Sequence, residues 1–278
     1  MEKFKIWTED DARRCIATPK STDDKYSRGV LGVIAGSRQY PGAAVLACEG
    51  AMQTGVGMVR YSGPRIARML VLRQSPEVVI QSGQVQAWLI GPGIDFHRIG
   101  RRKRRFIENA LDQKVPLILD AGAISLTLRA TTPTLITPHF RELSSLFALS
   151  NVEVSATEIQ GAPKKWALLA ANKFNVSVLL KGTQTVVASG QTAIELPSAP
   201  AWLATAGTGD VLSGILGALL ATQSDLIKAR PEFLAELAAT GSWIHSHAAL
   251  LASSGGPINA ISVSAAIPEA IRKLLTSI

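Results

Sequence analysis

Five short apolar runs, each stopping at a glycine or a polar residue, constrain the fold of this chain more than any other feature. Val30-Leu31-Gly32-Val33-Ile34-Ala35 runs into Gly36-Ser37, Ala87-Trp88-Leu89-Ile90 into Gly91-Pro92-Gly93, and Leu117-Ile118-Leu119 into Asp120. Thr134-Leu135-Ile136 leads into Thr137-Pro138-His139, and residues 176–180 into Lys181-Gly182. Runs this short and this apolar read as strands buried on both faces. Helical stretches over 42–54, 101–111, 142–149 and 164–172 separate most of them. Such alternation predicts an α/β fold with a largely parallel central sheet and helices on both faces. Residues 185–189 and 193–197 flank Gly190-Gln191 and predict a hairpin on the far side of the sheet. Beyond Asp210 the chain reads as mainly helical, and the first 25 residues as a short helix and an arm packed on the body or on a neighbour. With no internal repeat or low-complexity linker, residues 1–278 are expected to form a single domain.

Composition narrows the function classes. Hydrophobic residues make up 47% of the chain and aromatic ones only 5%, a profile suited to helices packed on a parallel sheet. No apolar run is long enough to cross a bilayer, and Glu2 and Lys3 follow Met1 where a secretory leader would be apolar, so a cytoplasmic protein without a membrane partner is expected. Cys15 and Cys48 are too few for a disulfide framework, and Cys48, in an Ala-rich run, reads as a buried free thiol. The formal charge of +8 points to an anionic partner. The run Arg101-Arg102-Lys103-Arg104-Arg105 has no aromatic interleaving and belongs to no nucleic-acid module. It reads as a solvated helix face, and a phosphorylated small ligand explains the charge better than nucleic acid.

The densest chemical signal is Gly207-Thr208-Gly209-Asp210, followed by a helix apolar nearly all round. The first turn of a helix offers unpaired N–H groups and a positive dipole end, and the glycines let backbone close on a phosphate. Asp210 then stands beside developing negative charge, either as general base toward an acceptor hydroxyl or as a metal ligand, with a plain capping role as the structural alternative. In an open parallel sheet ligands sit at the carboxyl ends of the strands, where Ser37, Gly93, Asp120, His139 and Lys181 all fall. Lys181, Gly182 and Thr183, with Thr185, suit a nucleotide's phosphate or ribose, although a lone lysine there is more often solvated. His139 and Glu142 are spaced for a helix cap as much as for a site, and do not suit zinc without further ligands. His245 and His247 lie in an apolar helix on different faces and read as satisfied core or interface residues. A Walker loop, a dinucleotide-binding glycine fingerprint and a serine-nucleophile elbow are all missing.

Taken in order, these segments resemble a known family. Gly36-Ser37 with Tyr40-Pro41-Gly42-Ala43-Ala44 opens the series, followed by Gly55-Val56-Gly57-Met58-Val59, Gly91-Pro92-Gly93 and Leu119-Asp120-Ala121. Thr137-Pro138-His139 with Glu142, Val178-Leu179-Leu180-Lys181-Gly182 and the stretch from Ala204 to Gly214 complete it. The set is similar to the ADP/ATP-dependent NAD(P)H-hydrate dehydratases, over roughly residues 25–275. The resemblance implies a ribokinase-like three-layer α/β/α fold and repair of hydrated NADH or NADPH, S-form, by phosphorylation of the ring hydroxyl and loss of phosphate. It implies Asp210 as the catalytic base, and Ala43, Gly93, His139 and Asp210 around the hydrated dinucleotide. Lys181, Gly182, Thr183, Gln184, Thr185, Gly207, Thr208 and Gly209 would meet the adenine nucleotide, with ADP or ATP and Mg²⁺ as cofactors. A homo-oligomer and a separate epimerase are expected as well. The chain departs from the family pattern at Gly122, Arg141, Pro200-Ala201-Trp202, Ser246 and Ala249. A small-molecule kinase of the same superfamily and a non-catalytic nucleotide-binding protein are the alternatives, since both need the same glycine turn.

Overall fold

The computed structural model describes residues 3–276. Strands β1 (Lys3–Ile6), β2 (Val30–Ile34), β3 (Met58–Ser62), β4 (Ala87–Ile90), β5 (Leu117–Leu119), β6 (Thr134–Ile136), β7 (Ser177–Leu180), β8 (Val186–Ser189) and β9 (Thr192–Glu195) form one sheet. Their order is β1-β9-β8-β7-β6-β5-β4-β2-β3. Only β8 runs against its neighbours, so every other strand ends on the same edge. The five apolar runs are β2 and β4 to β7, and the expected hairpin is β8–β9.

Side chains alternate between two cores, one on each face of the sheet. Leu31, Val33, Leu89, Ile118, Leu135 and Leu179 enter one core. Val30, Ile34, Ile90, Leu117, Leu119, Ile136 and Leu180 enter the other. Both faces are therefore dry, which is why these strands read as unbroken apolar runs instead of alternating ones. The first core is covered by α1 (Glu9–Arg14), α2 (Pro41–Gln53), α3 (Arg65–Gln74), α8 (Thr208–Thr222), α9 (Ser224–Ala229), α10 (Phe233–Ser253) and α11 (Ala260–Thr276). The second is covered by α4 (Arg101–Leu111), α5 (Phe140–Ala148), α6 (Ala156–Gly161) and α7 (Pro163–Phe174). Among the described residues no helix is long and apolar enough to cross a membrane.

Helix α8 lies between α2 and the sheet, and small residues bring it there. A side chain at Gly214 would collide with the Ala47 carbonyl, and one at Gly50 would come 2.5 Å from the Val211 carbonyl. Gly217 in turn seats α8 on Leu31 of β2. This backbone-to-backbone packing pins the first turn of α8 at the carboxyl edge of the sheet.

Two strands escape the sequence reading. The amino-terminal arm contains β1, paired with β9, before the expected short helix α1. Its Phe4 and Ile6 are exposed, so no buried apolar run marks it. The arm packs on the body through Trp7, which is fully buried. Strand β3 pairs with the outer side of β2, and Arg60 interrupts its apolar pattern. The pairing of β2 with β3 on one side and β4 on the other makes a point where strand order reverses, and the crevice above such a point is a preferred ligand site.

Candidate active site

The first turn of α8 is built on Gly207, whose backbone has φ +90°, a conformation that costs a residue with a Cβ about 1–2 kcal/mol. No side chain caps this helix, and Thr208 turns its hydroxyl back onto the carbonyls of Leu203 and Thr205, both at 2.9 Å. Gly209 has open space where a side chain would stand. The turn thus presents backbone, a positive dipole end and room, the requirements for an anion. Asp210 is the third residue of the helix and does not cap it. Among the described residues, no hydrogen bond holds its carboxylate.

Beneath Asp210 lies a second carboxylate. Asp120, at the end of β5, is 3% exposed. Its Oδ1 accepts from the Thr137 hydroxyl at 2.7 Å and the Lys181 ammonium at 3.0 Å, and its Oδ2 accepts from Ser213 at 2.7 Å. Burial alone would raise the Asp120 pKa, but the Lys181 charge and the hydrogen bonds from Thr137, Ser213 and Lys181 outweigh it and hold the group ionised. Burial likewise disfavours the Lys181 charge, and Asp120 and Glu142 restore it, raising the lysine's pKa. Glu142 Oε2 stands 3.9 Å from the Lys181 ammonium.

Asp210 receives the opposite treatment. Burial, and then the charge of Asp120, push its pKa up to about 6, with Lys181 opposing. A carboxyl with a pKa near neutrality and free of hydrogen bonds has the profile of a proton acceptor, because it is both available and sufficiently basic.

The remaining residues singled out from sequence fall into two groups. Lys181 joins Asp210, but its ammonium is engaged by Asp120 instead of standing open to solvent. Its backbone N–H donates to the Pro138 carbonyl at 2.8 Å, which ties the ends of β6 and β7 together. Gly182 rests on the Phe140 ring, Thr183 and Gln184 are exposed, Gln184 bonds Glu195, and Thr185 is buried just before β8. His139 heads α5 in a capping box: Nδ1 accepts from the N–H groups of Arg141 and Glu142, and Glu142 bonds the His139 N–H. Its ring is half exposed at the rim. Ala43 and Gly93 meet across the crevice between β2 and β4, where a Cβ on Gly93 would come 2.6 Å from that of Ala43.

Three participants were missed in the sequence: Ser213, the hydroxyl of Thr137, and the charge of Asp120 as a partner for Lys181. The signal for Asp120 was a carboxylate ending a fully apolar strand, and for Ser213 its position one helical turn after Asp210. His245 corrects an expectation in part. It is buried on α10 with a backbone hydrogen bond to Thr208, but its Nε2 lacks a partner among the described residues. Burial drops its pKa to about 4, against the pull of that bond. His247 stacks on Trp243, with ring centroids 3.5 Å apart.

Comparison with known proteins places this geometry among relatives. The profile of the NAD(P)H-hydrate dehydratase family matches residues 31–269. The bifunctional NAD(P)H-hydrate repair enzyme of Mycobacterium leprae is 37% identical over 253 residues, covering 86% of this chain and 49% of that protein. The chain therefore spans about half the length of the bifunctional relatives it matches. The ADP-dependent (S)-NAD(P)H-hydrate dehydratase of Neisseria meningitidis is 32% identical, over 81% of this chain and 77% of its own. The fold is shared with the ADP/ATP-dependent NAD(P)H-hydrate dehydratase of Bacillus subtilis, co-crystallised with ATP and Mg²⁺, at a TM-score of 0.84 and 24% identity. That match covers 97% of this chain and 98% of the other.

Proposed function

The chain belongs to the NAD(P)H-hydrate dehydratase family, and from that premise we propose that it restores NADH or NADPH from the S-form of their hydrates at the expense of ADP or ATP. The observation that carries the reading is the Asp210 carboxyl, held near a pKa of 6 at the start of an uncapped buried helix.

In the proposed reaction the hydroxyl on the hydrated nicotinamide ring lies against Asp210, with Ala43, Gly93 and His139 lining the dinucleotide. Lys181, Gly182, Thr183, Gln184 and Thr185, together with Gly207, Thr208 and Gly209, receive the adenine nucleotide. Asp210 takes the hydroxyl proton as the oxygen attacks the terminal phosphorus, and the nucleotide leaves with one phosphoryl group fewer. The backbone of the α8 turn stabilises the charge on the transferring group. The ring C–O bond, poor to break as hydroxide, now breaks with phosphate as leaving group. Loss of the neighbouring ring proton completes the double bond, so the hydroxyl oxygen departs within the released phosphate and one phosphoanhydride bond is spent for each hydrate repaired. Raising the Asp210 pKa makes it a better acceptor while leaving it ionised above about pH 6.

Mg²⁺ fits this site as a companion of the nucleotide. No group of three acidic, histidine or cysteine side chains is assembled among the described residues to cage a metal. Glu142 and the nucleotide phosphates would hold the ion, in keeping with its preference for few carboxylates and many phosphate or water oxygens. When bound it neutralises phosphate charge.

Residues 1–278 are proposed to act as one catalytic unit in the cytoplasm, assembled as a homo-oligomer, with epimerisation of the two hydrate forms carried by a separate catalytic unit. The test is incubation with hydrated NADH or NADPH plus ATP or ADP, following the return of reduced-nicotinamide absorbance. Recovery with either donor is expected. No recovery, together with accumulation of a stable phosphorylated alcohol from a vitamin-precursor substrate, would overturn the dehydratase reading.

A further inference from the structure

The basic run at the start of α4 divides into two kinds of residue. Arg101, Arg102, Arg104 and Arg105 are exposed, as a solvated helix face requires. Lys103 instead turns inward, and its ammonium donates to the Gly36 carbonyl at 3.0 Å. Gly36 lies just beyond β2, and its N–H donates to the Pro92 carbonyl at 2.7 Å, just after β4. Lys103 therefore stands on the joint between the two strands where sheet order reverses, 67 residues along the chain from its one hydrogen-bond partner among the described residues.

No carboxylate faces this ammonium among the described residues, and burial alone lowers its pKa to about 8. A half-buried charge satisfied by one carbonyl is an expensive arrangement that an anion would relieve. The other wall of the crevice supplies complementary features. Helix α2 begins there with no capping side chain, no acidic residue in its first turn, and open space at Gly42. Its Ala43 is the residue packed against Gly93. Backbone N–H groups, a positive helix end and a lysine without an ionic partner thus border one crevice, and all three favour a phosphoryl group.

We propose that Lys103 is a specificity-determining residue that binds a phosphoryl group of the hydrated dinucleotide, in the crevice between the ends of β2 and β4. The proposal rests on the reading of the chain as a hydrate dehydratase, and it adds a contact made by the dinucleotide and not by the phosphoryl donor. The phosphoryl group is either one of the bridging diphosphate, common to both hydrates, or the 2′-phosphate of the NADPH form.

The test uses Lys103→Met and Lys103→Arg in the full chain, with thermal unfolding as the control for folding. Methionine keeps the length of the stem and removes a partly desolvated charge, so the melting temperature is expected to hold. Loss of one charge-assisted contact predicts a KM for the hydrate raised about tenfold or more in Lys103→Met, with partial recovery in Lys103→Arg and an unchanged KM for ADP. An equal effect on hydrated NADH and hydrated NADPH assigns the contact to the diphosphate, and an effect confined to hydrated NADPH assigns it to the 2′-phosphate. Binding of intact NADH and NADPH, read by nicotinamide fluorescence, supplies a readout that needs no turnover. If the wild-type chain binds them but repairs nothing, the functional reading fails while the Lys103 contact is still measured. A well-folded Lys103→Met with unaltered hydrate KM and dinucleotide affinity would overturn the proposal, as would a rise in the KM for ADP alone.

Discussion

Replacing Asp210 by asparagine should cost the enzyme its chemistry and make the fold more stable, by an amount that depends on pH in a defined direction. The carboxyl titrates near 3.8 in an unfolded chain and near 6 in the folded one. Between those values the folded state binds more protons than the unfolded state, so the Asp210 contribution to stability rises as pH falls. Above pH 6 the full penalty for ionising the buried group is present, about 2 pK units or roughly 3 kcal/mol. Near pH 4.5 most of it has been relieved by protonation, leaving about 1 kcal/mol. Asparagine carries no such penalty, so the variant should be stabilised over wild type by about 3 kcal/mol at pH 8 and by about 1 kcal/mol at pH 4.5. Denaturant titrations of both proteins at the two pH values give the difference directly. Only the difference is informative, because His245, whose pKa is depressed on folding, removes stability from both proteins as pH falls below its unfolded value. Turnover should drop by about 10²–10⁴-fold while nucleotide affinity persists. A variant equally stabilised at both pH values, or destabilised at pH 8, would refute the claim that burial and Asp120 strain this carboxylate. Undiminished turnover would remove it from the chemistry.

Further expectations follow from the same geometry. The rate profile for hydrate repair should show an acid limb with a midpoint near pH 6, because the base is lost on protonation, and a flat profile down to pH 5 would contradict this. Asp120→Asn removes the negative charge that raises the Asp210 pKa, and should move that limb to lower pH in whatever fraction folds. Asp120→Ala strands the Lys181 ammonium and two hydroxyls, and should cost about 3–5 kcal/mol in chemical denaturation. Gly93→Ala places a Cβ 2.6 Å from that of Ala43, on a backbone with φ +66°, and should raise the hydrate KM and lower the melting temperature without changing the KM for ADP.

The parts of this molecule that could be read from its sequence are those where local pattern and burial agree. Strands β2 and β4 to β7 are dry on both faces, so each leaves an unbroken apolar run, and α8, apolar nearly all round, announces its own central position. Strand β1 left no such trace because Phe4 and Ile6 face solvent, and β3 because Arg60 breaks its pattern. Within the site, Gly207 to Asp210 are contiguous and were legible as a unit. The Asp120–Lys181 pair joins residues 61 positions apart, and Ser213 approaches Asp120 from 93 positions away. Such pairs depend on which strands become neighbours, and no local spacing encodes that. Lys103 was concealed for a different reason. Four exposed arginines surround it, and only three-dimensional placement distinguishes the one cation that points inward.

The departures from the family pattern acquire a physical meaning once the strand ends are seen together. At Gly122 a side chain would collide with the Ile94 carbonyl, so the chain has no room there for any larger residue. The segment after β4 has closed against the segment after β5, and Asp120 is left as the carboxylate of that loop, fully engaged by Lys181, Thr137 and Ser213. Proline and tryptophan before the glycine turn have a comparable effect. The turn of Ala201–Leu203 supplies the Leu203 carbonyl that Thr208 bonds, so the altered residues still brace the helix start. Neither change disturbs Asp210, the open space at Gly209 or the uncapped first turn of α8. The charge machinery is assembled from β5, β6, β7 and α8, whereas the crevice bordered by Lys103, Gly93 and Ala43 is assembled from the ends of β2 and β4 with α2 and α4. Substitutions in the second group can alter the crevice without removing a side chain of the first, because the two are joined through the backbone, where the Asp120 N–H donates to the Ile90 carbonyl at 3.0 Å, and by no side-chain hydrogen bond among the described residues.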